Sequence, residues 1–529
     1  MKLKKIADNL SGVKDIDGKV NFEITGIACD SKAVKPGYLF AALKGSKANG
    51  VDFIDEAIDR GATCILLDAD NKVEFMRGDT FIYAKDARLA FSEVCRAYFG
   101  DVSAKMRLAA VTGTNGKTTI TYLIESMFKS ANQGIGVIGT VNYRFGSRSI
   151  PALNTTPGVL DLYSLLSNML KEKIKACVME VSSHSLEQGR VETLEFDAAI
   201  FTNLTREHLD FHKNMRDYLK AKLKLFQKIK KKGFAIINID DPVAPKIIEK
   251  VKSEGKAQII TYGIDNKSDV SAGNIELSRE GLKFKIFFST SLEEYSSSES
   301  AAGGRVEKCI EIKSSLIGRH NVYNILAAIA AGLTLGMSLK DIKKGIESLE
   351  SLPGRLEKID CGQDFSVYVD YAHTEDGLEK VLRSLRELKP ARLISVFGCG
   401  GNRDRGKRPI MGRISTELSD FVVITSDNPR NEEPVDIINE IIKGINKGKD
   451  NYAVEPDRFI AIKKALGEAR RGDIVLLAGK GHETYQIFKD TTLPFDDREA
   501  ARKLLREKNS NSVRADTVAK RASPVENHL

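Results

Sequence analysis

Two glycines, a lysine and three threonines fall within the seven residues 113–119, GTNGKTT. Such a turn can surround a polyphosphate with backbone N–H groups, a helix start, the Lys117 ammonium and the Thr118 hydroxyl. The full phosphate-loop pattern has glycine where Val111 stands, so the setting matters as much as the string. That setting is an apolar strand, RLAAVT, before the turn and a helical segment, ITYLIESMFK, behind it. A nucleoside-triphosphate-consuming enzyme is the reading this favours over an ordinary glycine-rich turn.

Further chemistry-bearing residues stand at the ends of apolar runs. Glu180 ends ACVME, and His208 follows AIFTN. Strands of a doubly wound sheet deliver their C-terminal ends to the ligand crevice. A carboxylate and an imidazole arriving there, with Thr118, could hold Mg²⁺, or each could simply cap the next helix; His208 is the unusual ligand for an oxygen-seeking ion. Lys222 lies in DYLKAKLKLF, roughly 60° round the helix from Leu219 at about 100° per residue. It is the lysine nearest the apolar stripe, and on spacing alone it reads as a snorkelling surface lysine. Three further loops, GCGGNRDRGKRP, SDNPR and GKGHE, each follow an apolar run and look like anion receptors, with Arg403 and Arg430 able to grip carboxylates.

The elements that must position these residues alternate strand and helix. Residues 1–106 form a first unit, with the helix FIDEAIDRGA and the strand TCILL. Residues 107–352 form a central one, in which RLAAVT, ACVMEVSS, DAAIFTN and GFAIINID read as buried parallel strands. The stretch Ile259 to Ser315 breaks this pattern and predicts an antiparallel excursion with a flexible tip, SSSESAAGG. Residues 353–503 form a third α/β unit on SVYVDYA, RLISVFG, DFVVITS and DIVLLAG, and 504–529 read as a disordered tail. Gly134, Gly136 and Gly139 spell a dinucleotide fingerprint, but they follow a helix and enter the strand-like TVNYRF, the wrong order for that site.

Composition excludes several classes. With 42% hydrophobic and 29% charged residues over 529 positions the chain is globular and multidomain. No apolar run approaches the ~18–20 residues of a membrane span, and MKLKKIADNL has no hydrophobic segment behind it. Seven scattered cysteines without a C-x-x-C pair fit a reducing cytoplasm. A net charge of +9 without a basic stripe argues against nucleic acid.

Together DSKAVKPGYLFAALKG, TGTNGKTT, NTTP, EVSSH, the lysine helix, GRHNVYN, LPGRLE, DYAHT, GNRDRGKRP, DNPR and GKGHE resemble the Mur ligase family from about residue 25 to 500. The resemblance implies a three-domain α/β architecture with a central P-loop-type ATPase domain and a Rossmann-like C-terminal domain. It implies a cytoplasmic, monomeric enzyme of peptidoglycan precursor synthesis whose only partners are small substrates and Mg²⁺. That enzyme joins meso-diaminopimelate to the D-glutamate γ-carboxylate of UDP-N-acetylmuramoyl-L-alanyl-D-glutamate through an acyl phosphate. In this reading Gly113, Thr114, Asn115, Gly116, Lys117, Thr118, Thr119, Asn321 and Arg355 bind ATP. Ser31, Asn154, Thr155, Thr156, Ser182, Gln188 and Arg190 hold the UDP-muramoyl dipeptide. Arg403, Asp427, Asn428, Pro429, Arg430, Gly479 and Glu483 take diaminopimelate, Arg430 meeting the distal carboxylate that lysine lacks. Lys222 becomes a carbamate and joins Thr118, Glu180 and His208 as a metal ligand, which reverses its reading as a surface lysine. Glu375 stands where the family commonly has proline, leaving a helix start without its preset φ. Competing expectations are L-lysine as the added amino acid, a folylpolyglutamate synthetase-like ligase, and a nucleotide-dependent switch without transfer.

Overall fold

The computed structural model describes residues 1–45, 48–71, 79–208, 211–289 and 309–508. The Ser-rich stretch near 295 and the chain beyond 508 lie outside them.

The first sheet has five strands, in the order Val13–Asp17, Thr80–Ala84, Ala62–Asp68, Tyr38–Ala41, Gly26–Ala28. Only its first pair is antiparallel. Helix Ala87–Phe99 covers one face and packs on helix Val159–Lys171 of the next domain, with the Phe99 and Tyr163 rings 6.4 Å apart. One apolar core thus runs across the expected boundary at 106.

The central sheet has eleven strands. Strand Arg107–Thr112 lies between Ala176–Glu180 and Phe196–Phe201, all parallel. These central strands are buried on both faces, which is why they read as unbroken apolar runs. Helices Lys117–Ser130 and Arg319–Thr334 cover one face; Val159–Lys171, Met215–Phe226 and Ala244–Glu254 cover the other. The antiparallel excursion starts later than expected: Gln258–Gly263 and Val270–Ser278 still run parallel to their neighbours, and reversal begins at the hairpin to Gly281–Phe288. The predicted strand TVNYRF is present as Asn142–Phe145 and turns back as Arg148–Pro151. Gly136 opens a strand, and a Cβ there would meet Met169, so the false fingerprint serves packing.

The third sheet is ordered Glu357–Ile359, Ser366–Asp370, Ile474–Ala478, Leu393–Phe397, Phe421–Ile424, Tyr452–Val454, parallel after its first pair. The expected end at 503 cuts a helix over 497–508. Its stripe of Ala500, Ala501, Leu504 and Leu505 closes the core with Ile462 and Leu466. The polar composition of the following residues masked this last turn.

Candidate active site

Register puts the phosphate turn at the centre of the crevice. Glu180 pairs with Val111 and Phe201 with Thr112, so residues 113–116 emerge between two strand ends. Gly113 has φ 145°, and a Cβ there would stand 1.8 Å from Thr202 Oγ1. Gly116 is left-handed at φ 89° and caps helix Lys117–Ser130. Lys117 Nζ donates to the Gly113 and Thr114 carbonyls at 2.9 and 2.7 Å. Burial pulls its pKa down, while the Glu207 and Glu180 carboxylates oppose the shift. Thr118 is buried and accepts from Arg355 at 3.3 Å, Thr119 is buried beside it, and Asn321 donates to the Ile317 carbonyl at 2.7 Å. The turn, Asn321 and Arg355 all line one cavity of about 750 Å³, together with Glu180 and His208.

Glu180 is buried and accepts from Thr140 N–H and Oγ1 at 3.0 and 2.9 Å. His208 has φ 56°, its Nε2 3.6 Å from Glu207 and its ring edge-on to His184. Lys222 is 1% exposed, which overturns the surface reading from spacing alone. Its ammonium lies 4.5 Å over the Tyr218 ring. Burial first, then the nearby Lys117 charge, holds its pKa well below the usual lysine range. Among the described residues no three His, Cys, Asp or Glu side chains converge as an all-protein metal cage. The oxygen donors Thr118 and Glu180 beside a phosphate turn instead suit Mg²⁺ completed by phosphate and water.

The predicted dipeptide residues knit together beside Glu180. Thr155 Oγ1 reaches Thr140 Oγ1 at 3.1 Å, and Thr156 Oγ1 donates to the Glu180 carbonyl at 2.9 Å. Ser182 N–H donates to Thr156 Oγ1, and Arg190 donates through one nitrogen to the Thr156 carbonyl and through two others to Gln188 Oε1. Asn154 is exposed, its carbonyl held by Tyr143 OH at 2.6 Å. Ser31 joins this group through no hydrogen bond among the described residues; it donates to Glu56 at 2.7 Å in the first domain.

In the third domain the three loops follow Phe397, Ile424 and Ala478, neighbouring parallel strand ends, and bond to one another. Gly401 N–H donates to the Asn428 carbonyl, while Asn428 Nδ2 donates to Glu483 at 2.9 Å. A Cβ on Gly401 would overlap the Pro429 carbonyl, and one on Gly479 would press on Asp427 Oδ2 at 2.7 Å. Arg430 adopts φ 54°, pinned by its N–H to the Ile487 carbonyl. Burial and the Arg403 charge both pull the Arg430 pKa down. Two like charges brought together in this way suit an anionic ligand.

Residues that sequence reasoning missed tie these parts into one site. Asp376 accepts from Asn115 Nδ2 at 2.9 Å, Thr205 Oγ1 at 3.0 Å and Lys380 at 2.9 Å. Its position two residues after DYAHT was the available signal. Thr374 caps the helix Glu375–Glu387 in place of a proline start, and Glu375 itself faces Arg206 of the central domain at 3.8 Å. The Tyr371 ring touches Arg355, beside the glycine turn, 4.9 Å away, and His482 of the GKGHE loop, 5.0 Å away. Glu207 was overlooked beside His208, though it lines the cavity.

Three α/β domains, a phosphate turn in the second and an arginine-rich loop cluster in the third define the class: the chain belongs to the Mur ligase family. Family models match in chain order: Mur ligase family, catalytic domain at 23–104; Mur ligase middle domain at 111–332; and Mur ligase, glutamate ligase domain at 354–481. The chain is similar to the UDP-N-acetylmuramoyl-L-alanyl-D-glutamate–2,6-diaminopimelate ligase of Syntrophomonas wolfei, 44% identical over 96% of this chain and 100% of the relative. The ligase of the same name from Caldanaerobacter subterraneus is 41% identical over 95% and 99%. A solved structure of a UDP-N-acetylmuramoyl-L-alanyl-D-glutamate–2,6-diaminopimelate ligase superposes with a TM-score of 0.68 at 31% identity, covering 96% of this chain and 99% of that one. Among the described residues no helix is long and apolar enough to cross a membrane.

Proposed function

We propose that this chain is the ATP-dependent ligase that adds meso-diaminopimelate to UDP-N-acetylmuramoyl-L-alanyl-D-glutamate in cytoplasmic peptidoglycan precursor synthesis, acting as a monomer. Relatives of that name at 41–44% identity over nearly the whole chain support it. The observation that carries it is local. Glu180 borders the phosphate turn and, through Thr140, also the dipeptide residue Thr155, while Tyr371 touches both the nucleotide and amino-acid sides. A carboxylate, a triphosphate and an amine can therefore meet in one crevice.

In the reaction a γ-carboxylate oxygen of D-glutamate attacks the ATP γ-phosphorus and ADP leaves. The amine nitrogen then attacks the acyl carbon, phosphate departs, and the amine gives up a proton. Lys117, freed from the carbonyls of its own turn, faces the transferred phosphoryl group and offsets the charge gathering on it. Arg190, Thr156 and Ser182 hold the dipeptide so that its γ-carboxylate is presented in line. Thr118, Glu180, His208 and Lys222 would hold Mg²⁺, which when bound supplies positive charge to the phosphate oxygens. For Lys222 this requires a carbamate. Its burial favours the neutral amine, the form that adds CO₂. Asp376 brings the third domain onto the turn and so excludes water from the acyl phosphate.

Choice of amino acid rests on Arg403 and Arg430, which attract the distal carboxylate of diaminopimelate and repel the bare ammonium of lysine. Tripeptide formation from purified protein, ATP, Mg²⁺ and the two substrates tests the assignment. Nucleotide hydrolysis indifferent to both acceptor and amine would overturn it.

A further inference from the structure

Lys480 is completely buried, although it sits in a loop beside the arginines of the third domain. Lysine is almost never enclosed to that degree unless paired. Its Nζ lies 3.0 Å from Glu483 Oε2 and 3.2 Å from Asn428 Oδ1. Asn428 Nδ2 donates to the same Glu483 oxygen at 2.9 Å, and Ile487 N–H donates to the same Asn428 oxygen at 3.0 Å. This closed triangle fixes which way the Asn428 amide faces and leaves Glu483 Oε1 outside the network.

The second consequence is charge. Arg430 faces the charges of Arg403, Asp427 and Glu483, and Lys480, paired with Glu483, adds one further positive unit to these loops. The neighbouring Arg458 and Asp497 are both buried and cancel each other in a bidentate pair. Removing Lys480 takes one positive unit out of the loops. In a water-poor site one unit of charge separates a zwitterion of net zero from an amino acid of net +1.

Resting on the reading of these loops as the amino-acid site, we propose that Lys480 is a positioning and selectivity residue: it holds Asn428 and Glu483 in place and, by its charge, disfavours an acceptor that carries an extra ammonium in place of a carboxylate. It acts through its two partners and touches no reacting atom.

Two variants separate charge from shape. Lys480→Gln keeps a donor for Asn428 and Glu483 but removes the charge. Lys480→Arg keeps the charge while changing the shape of the group that carries it. For wild type and both variants, kcat/KM is measured with meso-diaminopimelate and with L-lysine, alongside the KM for ATP. The proposal expects the diaminopimelate-to-lysine ratio to fall at least tenfold in Lys480→Gln and to stay near wild type in Lys480→Arg, with the KM for ATP unchanged throughout. A ratio that stays at the wild-type value in Lys480→Gln, or falls as far in Lys480→Arg, would overturn it. So would a loss that falls equally on ATP, since a purely structural role predicts that. Wild-type protein that ignores diaminopimelate would refute the assigned reaction itself, a failure separate from this one.

Discussion

The Asn115 side chain, in the middle of the phosphate turn, donates to Asp376 of the third domain across 2.9 Å. The same carboxylate oxygen takes the Thr205 hydroxyl and the Lys380 ammonium. One side chain thereby couples the glycine turn of the central domain to the domain that carries the arginine-rich loops.

Asp376→Ala should therefore raise the KM for ATP and lower kcat, each about tenfold, the scale of a lost charge-assisted hydrogen bond or two. The thermal midpoint should move little, because the contact joins domains and supports no core. Initial rates against ATP concentration check this, and an unchanged KM with an unchanged kcat would contradict the coupling.

Gly113→Ala should be far more severe for nucleotide binding. The new Cβ would collide with Thr202 Oγ1, whose own hydrogen bond to the Asn115 carbonyl at 2.6 Å shapes the turn. Calorimetric titration with a non-hydrolysable ATP analogue should show affinity down at least tenfold, since the positive φ also strains any residue with a side chain. Wild-type affinity in the variant would mean that the turn does not hold the phosphates.

Lys222→Ala should abolish most ligation, by roughly 10²–10³-fold, the range for losing one preorganised charge at a reacting phosphoryl group. Added short-chain carboxylate should restore part of the rate, because it replaces the carbamate oxygens. Full activity without rescue would remove Lys222 from the site.

The third domain should owe part of its stability at neutral pH to Glu432. Hydrogen bonds from Arg408 hold its carboxyl down to about 2, from an ordinary 4.5. A lowered folded pKa gives stabilisation that is full above the unfolded value and disappears as pH falls through the folded one. Glu432→Gln should thus destabilise the protein by roughly 1–3 kcal/mol at pH 7. The gap to wild type should close between about pH 4.5 and pH 2. Denaturant unfolding across that range checks the sign, and a gap independent of pH would contradict it.

Much of this was legible in the chain because the decisive contacts are local or follow from strand order. The run RLAAVT, the turn behind it and Glu180 at the end of ACVME already place phosphate donors and a carboxylate side by side once the strands are parallel. Spacing alone marks Lys222 only as the lysine nearest an apolar stripe; its burial comes from packing that helical spacing does not encode. Asp376 and Glu207 escaped because each has partners in another domain, and Tyr371 because His482 lies far from it in sequence. The final helical turn escaped for the opposite reason, since Leu504 and Leu505 complete a core stripe just as the composition turns polar.

The most direct test is phosphate release from ATP with UDP-N-acetylmuramoyl-L-alanyl-D-glutamate, run in parallel with meso-diaminopimelate, L-lysine or no amine. Release with diaminopimelate alone, accompanied by tripeptide, is the predicted result. Release with lysine instead would contradict the role given to Arg403, Arg430 and Lys480, and release that ignores every amine would contradict the ligase itself.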